Sequence, residues 1–236
     1  HVEKNNCKEA LCWGRIEKLL EDAWGHRENP SYEAANLMQE MEFVAEKFPA
    51  QSVNREFVKT CNIILKEELS GYRFVGGRIT QITSKEEIAE VEQALQISEP
   101  LGPVRNHLQR GLDLLSDKRS PDYRNSIKES ISAVEAMCKL VTGDPNATLG
   151  QGLKQLEDKG VQLHGALKNA FSSLYGYTSS AQGIRHALLE ASSFDSEDAQ
   201  FMLVSCSAFI NYLVSKATKT GISFSSMSRS IKRPRR

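Results

Sequence analysis

The sequence predicts a mainly α protein: a helical N-terminal region joined to a helical bundle, with one small β-hairpin near residues 72–82. Three observations predict it. Apolar residues recur at spacings of three and four through most of the chain. The pattern breaks at YRFVGGRITQI, where β-formers flank Gly76-Gly77. Pro and Gly punctuation cuts the rest into runs of helical length.

Residues 8–24 place Cys12, Ile16, Leu19, Leu20 and Ala23 on one helical face. Pro30 suits the first turn of a second helix, whose stripe Ala34, Leu37, Met38, Met41, Val44, Ala45 and Phe48 stops at Pro49. Ser52 is expected to cap a third, carrying Val53, Phe57, Cys61, Ile64 and Leu65. Gly76-Gly77 then suit a two-residue turn that needs positive φ. Two strands alone are marginal, so this hairpin must pack on helices or pair with another edge. Ser84 and Glu87 have capping-box spacing, and Ile88, Val91 and Leu95 follow at helical spacing. SEPLGP breaks the pattern and reads as a linker.

The C-terminal half is better specified. Val104, Leu108, Leu112 and Leu115 form one stripe. Ser120 is expected to cap the next helix, with Pro121 at its first position and a stripe of Ile127, Ile131, Val134, Cys138 and Val141 that Gly143 stops. Leu149, Leu153 and Leu156 mark a short helix, and Leu163, Leu167, Phe171 and Leu174 another. The last helix runs from about Ser196 through Phe201, Val204, Ala208 and Tyr212. The expected division is residues 1–97, a linker at 98–103, a bundle at 104–218 and a Ser-rich basic tail at 219–236.

With 40% hydrophobic and 25% charged residues in 236, the chain has the composition of a folded globular protein. Zero net charge hides an asymmetry. The last eight residues, RSIKRPRR, hold five of the 30 cations, which leaves 25 against 30 acidic residues in the body. An acidic body is not that of a basic-patch nucleic-acid binder. The tail reads as a solvated terminus, or as a contact arm for RNA, DNA or an acidic partner. No apolar run approaches the ~20 residues of a membrane span and no secretory core opens the chain, so no membrane association is expected. The chain opens on His1 rather than Met, so a trimmed start is allowed for.

Five scattered cysteines, Cys7, Cys12, Cys61, Cys138 and Cys206, predict reduced thiols and a cytoplasmic chain. Cys7 and Cys12, with His26 beyond, lack C-x2-C spacing. No metal and no cofactor is expected. Phosphate-binding glycine motifs, a G-x-S-x-G elbow and an H-E-x-x-H helix are all missing, which argues against conventional kinases, hydrolases and metalloenzymes.

Residues 104–216 resemble a HEPN-type helical domain in the order of their helices, in SIKESISAVEAMCKLVTG as a second long helix, and in an Arg/His motif before the last helix. More closely, about residues 70–216 resemble the AbiJ N-terminal domain of abortive-infection proteins, through DYRNSIKES, ATLGQGL, LYGYTS, GIRHALLE and FMLVSCSAF. The resemblance implies a role in bacterial stress or phage defence, a homodimer, and RNA or another protein as partner. For active HEPN proteins it implies metal-independent RNA cleavage by an Arg and a His four to six residues apart. Arg would hold the scissile phosphate while His moves protons.

Here Arg185 and His186 are adjacent, and neighbours on a helix point about 100° apart. A binding module, a divergent RNase using Arg185 and His186, and a structural dimerisation module all stay open. Arg185 has an ion pair with Glu190 or Glu135 as its other reading, and His186 a place in the interior. Arg105 and His107 are the nearest substitute pair, with His107 and His164 otherwise surface or capping residues. Tyr123, Arg124 and Lys128 form a polar patch on the long helix, either a solvated face or a contact surface. Tyr175 and Tyr177, flanking Gly176, stack a base or pack at the core edge.

Overall fold

The computed structural model describes residues 34–47, 51–67, 70–179 and 194–222. Among them are eight helices and one antiparallel hairpin, the mainly α class expected. They divide into two compact units. One runs to Ile88 and takes in Lys118–Ser120; the other holds Ala89–Asp117 and the chain from Pro121 onward.

The first unit is built from α1 (Ala34–Lys47), α2 (Gln51–Glu67), β1 (Arg73–Val75), β2 (Arg78–Thr80) and the first turn of α3 (Lys85–Ile97). Its core gathers Met38, Met41 and Ala45 of α1, Phe57, Cys61, Ile64 and Leu65 of α2, and Phe74 and Ile79 of the hairpin. Phe57 meets Phe74 edge to face, 6.4 Å between centroids. Ser52, the expected cap, falls inside α2, which begins at Gln51. Periodicity locates a buried stripe, whereas the first turn of a helix is set by where its orphan N–H groups find partners. At α3 the cap is where the sequence puts it: the Glu87 N–H donates to Ser84 Oγ at 3.3 Å.

Gly76 and Gly77 adopt φ of 54° and 85°, and the register pairs Phe74 with Ile79 and Val75 with Arg78. In such a two-residue hairpin the pair beside the turn exchanges hydrogen bonds. Phe74 and Ile79, one step on, therefore turn their backbone groups outward. Side chains satisfy both edges. Asn62 donates from Nδ2 to Phe74 O at 3.1 Å and accepts the Phe74 N–H on Oδ1 at 2.7 Å. On the other strand Glu42 Oε1 accepts the Ile79 N–H at 2.5 Å, and Lys118 Nζ donates to Ile79 O. Lys118 also closes on Glu42 at 3.0 Å, a part-buried contact. The hairpin packs on helices and pairs with no third strand among the described residues.

The second unit is centred on α5 (Tyr123–Thr142), which packs against α4 (Gly102–Leu115), α6 (Leu149–Asp158), α7 (Gly165–Ser179) and α8 (Ser196–Lys219). The expected stripe Ile127, Ile131, Val134, Cys138 and Val141 is buried throughout. Residues 98–101, placed in the expected linker, form a turn in which Ser98 and Leu101 are buried and the Leu101 N–H donates to Ser98 O at 2.8 Å. The cap of α5 is Asp122, accepting the Asn125 N–H at 3.0 Å, rather than Ser120. Residues 118–120 belong to the first unit through Lys118, so the helix starts only after them. Gly143 ends it at φ 69°.

Two small residues set the helix spacing. Gly111 on α4 accepts Ser126 Oγ at 2.7 Å on its carbonyl, and a Cβ there would lie 3.1 Å from Ser130 Oγ. Gly152 on α6 lies against Cys138. Capping boxes not foreseen in the sequence start α6 at Thr148 and α8 at Asp195. The stripe expected for α8 needs correction: Phe201 is 61% exposed, and the buried face is Ala199, Met202, Leu203, Cys206, Phe209, Ile210 and Leu213. This helix is apolar nearly all round, so period alone cannot pick its inner face. By length and a mean hydropathy of 1.2 it would also pass for a membrane span, though half of that stretch is buried in the protein.

Candidate functional site

A groove of about 510 Å³ opens in the second unit, lined by Pro103 and His107 of α4, by Ser132, Glu135, Ala136, Lys139 and Leu140 of α5, and by Gly143 and Pro145 beyond it. Most of its wall is carbon, with four polar side chains set into it. That volume and mixture suit a ligand-binding cleft.

Each polar group has a distinct state. His107 is 39% exposed, and its Nδ1 sits 2.6 Å from Glu129 Oε2. An Nδ1–H of His107 donates to this carboxylate. Glu135 accepts the Tyr175 hydroxyl at 2.7 Å, which ties α7 to the groove wall. Phe171 stacks on Phe209 and Lys168 pairs with Glu157 at 2.8 Å, fixing α7 against α8 and α6. The Lys139 ammonium and Ser132 hydroxyl have no partner among the described residues.

The expected polar patch leads to this groove. Arg124, Lys128, Ser132, Glu135 and Lys139 follow at spacings of four, four, three and four, which puts them on one face of α5. At 1.5 Å per residue the strip is about 22 Å long. Tyr123 and Arg124 are half-buried at its start, and Lys128 is exposed. Tyr175 meets the strip at Glu135, about 10 Å along the axis from Lys128. The LYGY segment is helical, part of α7, and Tyr177 lies in its last turn. Arg185 and His186 lie outside the described residues, as do Cys7 and Cys12. Arg105 and His107 stand two positions apart on α4, about 200° around the axis, so they do not converge.

Sequence reasoning missed His107, Ser132, Glu135 and Lys139 as groove residues. A signal existed: the Arg124–Lys128 spacing continues through Glu135 to Lys139. The α4 wall had none, because a helix pairing is not written in local pattern.

The described cysteines are free and buried. Burial pushes the thiols of Cys61, Cys138 and Cys206 each up to about 12, and the charge of Glu135 adds to the shift at Cys138. At neutral pH they are protonated packing groups rather than nucleophiles. Among the described residues no cluster of His, Cys, Asp and Glu is arranged to hold a metal ion.

Residues 6–96 match the family model described as AbiJ N-terminal domain 4. The match supports an abortive-infection-associated module over that stretch. It covers less than half of the 236-residue chain and takes in α1, α2, the hairpin and nearly all of α3. The motifs quoted above had put the resemblance on about residues 70–216, which overlaps the match only from 70 to 96. No curated protein and no solved structure matches the chain.

Proposed function

We propose that this chain is an abortive-infection-type binding protein in bacterial phage defence, and that the α4–α5 groove is where it binds a partner protein. The association with abortive infection rests on residues 6–96, and the binding face rests on the second unit. The observation that carries the reading is the groove itself, an apolar cleft into which Lys139 and Ser132 are set with no partner among the described residues. Apolar contact with a few directed polar groups is how protein interfaces hold a partner.

A protein fits better than nucleic acid. Single-stranded nucleic acid is held by stacking on aromatic faces within a strongly cationic channel. The described lining holds no Phe, Tyr or Trp ring, and Glu135 stands among its charges. A HEPN-like bundle, a homodimer built on it and a cytoplasmic setting belong to the same reading.

The test is phage challenge of cells carrying the wild type or Ala136→Phe, whose ring would fill the groove from its α5 wall. Loss of protection with an unchanged melting temperature is expected. Full protection by the folded variant removes the groove from function, and no protection by the wild type removes the defence role. Labelled RNA incubated with the purified protein addresses the other readings. Cleavage that Arg185→Ala abolishes would favour the nuclease, and tight binding without cleavage would favour nucleic acid.

A further inference from the structure

Opposite its buried face, α8 carries a second stripe. Glu197, Phe201, Val204, Ala208, Tyr212, Ser215 and Lys219 recur at four, three, four, four, three and four, so they share one side of the helix over about 33 Å. Phe201 is 61% exposed; Glu197, Ser215 and Lys219 are exposed, and Val204, Ala208 and Tyr212 half-buried. A lone exposed phenylalanine needs no account, but one heading a continuous stripe does. The stripe is balanced about Ala208. Four residues to either side stand Val204 and Tyr212, seven away Phe201 and Ser215, and eleven away Glu197 and Lys219.

We propose that α8 binds a second copy of this chain through this stripe, antiparallel about a two-fold axis at Ala208. The inference rests on the homodimer that belongs to the reading above, and names its surface. Turned end for end on itself, the stripe sets Glu197 against Lys219 of the second copy, Phe201 against Ser215, Val204 against Tyr212, and Ala208 against Ala208. Opposite charges then meet at both ends, a large ring meets a small side chain, and alanine at the centre lets the axes approach closely. A parallel pairing would instead oppose Glu197 to Glu197 and Lys219 to Lys219, the like-charge contact that excludes a wrong arrangement. Charges of these signs also suit the helix macrodipole, but the dipole does not require them on the same side as Phe201. The Tyr212 ring lies parallel to Phe209, 6.5 Å between centroids, and so enters the contact already ordered. The end pairs are exposed and set direction more than affinity, which comes from Phe201 and Tyr212.

The test is sedimentation equilibrium of the full chain at micromolar concentration and low salt. The wild type is expected to dimerise and Phe201→Glu to be monomeric. Its melting temperature should match the wild type's at a dilution where both are monomers. Lys219→Glu should weaken the dimer about fivefold by opposing two carboxylates at each end, and adding Glu197→Lys should restore it. Lys154→Glu, the same charge change at an exposed position on α6, should leave the dimer unaltered. A dimer that survives both Phe201→Glu and Lys219→Glu overturns this surface and keeps the homodimer. Weakening by Lys219→Glu that Glu197→Lys does not restore overturns the antiparallel pairing. A lower melting temperature for dilute Phe201→Glu would mean that the chain itself covers the stripe, and overturns the inference. A monomeric wild type overturns the inference and the homodimer together, leaving the groove to its own test in cells.

Discussion

Tyr175 donates its hydroxyl hydrogen to Glu135 across 2.7 Å, and so fastens α7 to the polar face of the central helix. A hydrogen bond to a carboxylate contributes about 1.5–3 kcal/mol when well shielded. This one is partly exposed, so Tyr175→Phe should cost about 1 kcal/mol in urea denaturation. Glu135→Gln should cost less, because the amide oxygen still accepts. Equal losses would mean the charge matters more than the bond.

A Cβ placed on Gly152 would lie 2.5 Å from Cys138 Cβ and 2.9 Å from Cys138 Cα. Backbone must move to make room, so Gly152→Ala should destabilise by about 1–3 kcal/mol. Adding Cys138→Ala should recover little, since Cβ and Cα remain in place. Gly150→Ala, two residues away with nothing within 4 Å, should be neutral or slightly stabilising. Thermal melts of the three variants check this.

Lys118→Met removes the nearer of two cations from the part-buried Glu42, which keeps Arg78 at 3.8 Å, and takes a donor from the Ile79 carbonyl. The expected cost is about 1–3 kcal/mol, below the range for one partner lost from a fully buried ion pair. Hydrogen exchange at the Ile79 amide, held by Glu42, should accelerate in Glu42→Leu while the α8 core stays protected. Uniform protection in both variants would show that helix packing alone holds the hairpin.

The thiols of Cys61, Cys138 and Cys206 rise from 9.0 to about 12 on burial. The folded chain thus keeps protons that the unfolded chain gives up. Below pH 9 the full contribution is present; between about pH 9 and 12 stability should fall by about 1 kcal/mol per pH unit for each thiol. Cys206→Ala should flatten that slope by one thiol. An unchanged slope would assign the alkaline loss to other groups.

Much of the fold was legible because it is written in local pattern. The stripe of α5 from Ile127 to Val141 and the Gly76-Gly77 turn each follow from neighbours in sequence. What was not legible depends on distant residues. The start of α5 shifts to Asp122 because Lys118 is held by Glu42, 76 positions away. The inner face of α8 is hidden by its nearly uniform apolarity, and Phe201 turned out to face solvent. For the site, the cationic spacing on α5 was visible from Arg124 and Lys128. That His107 would pair with Glu129 and open a groove required the packing of α4 on α5.

The most direct test places a photo-crosslinking amino acid at Lys139 in the full chain, in cells undergoing phage infection, with the same group at Lys154 for comparison. The account predicts a discrete protein adduct from position 139, none from 154, and loss of the adduct when Ala136→Phe is added. Adducts to RNA from position 139, or equal protein adducts from both positions, would contradict it.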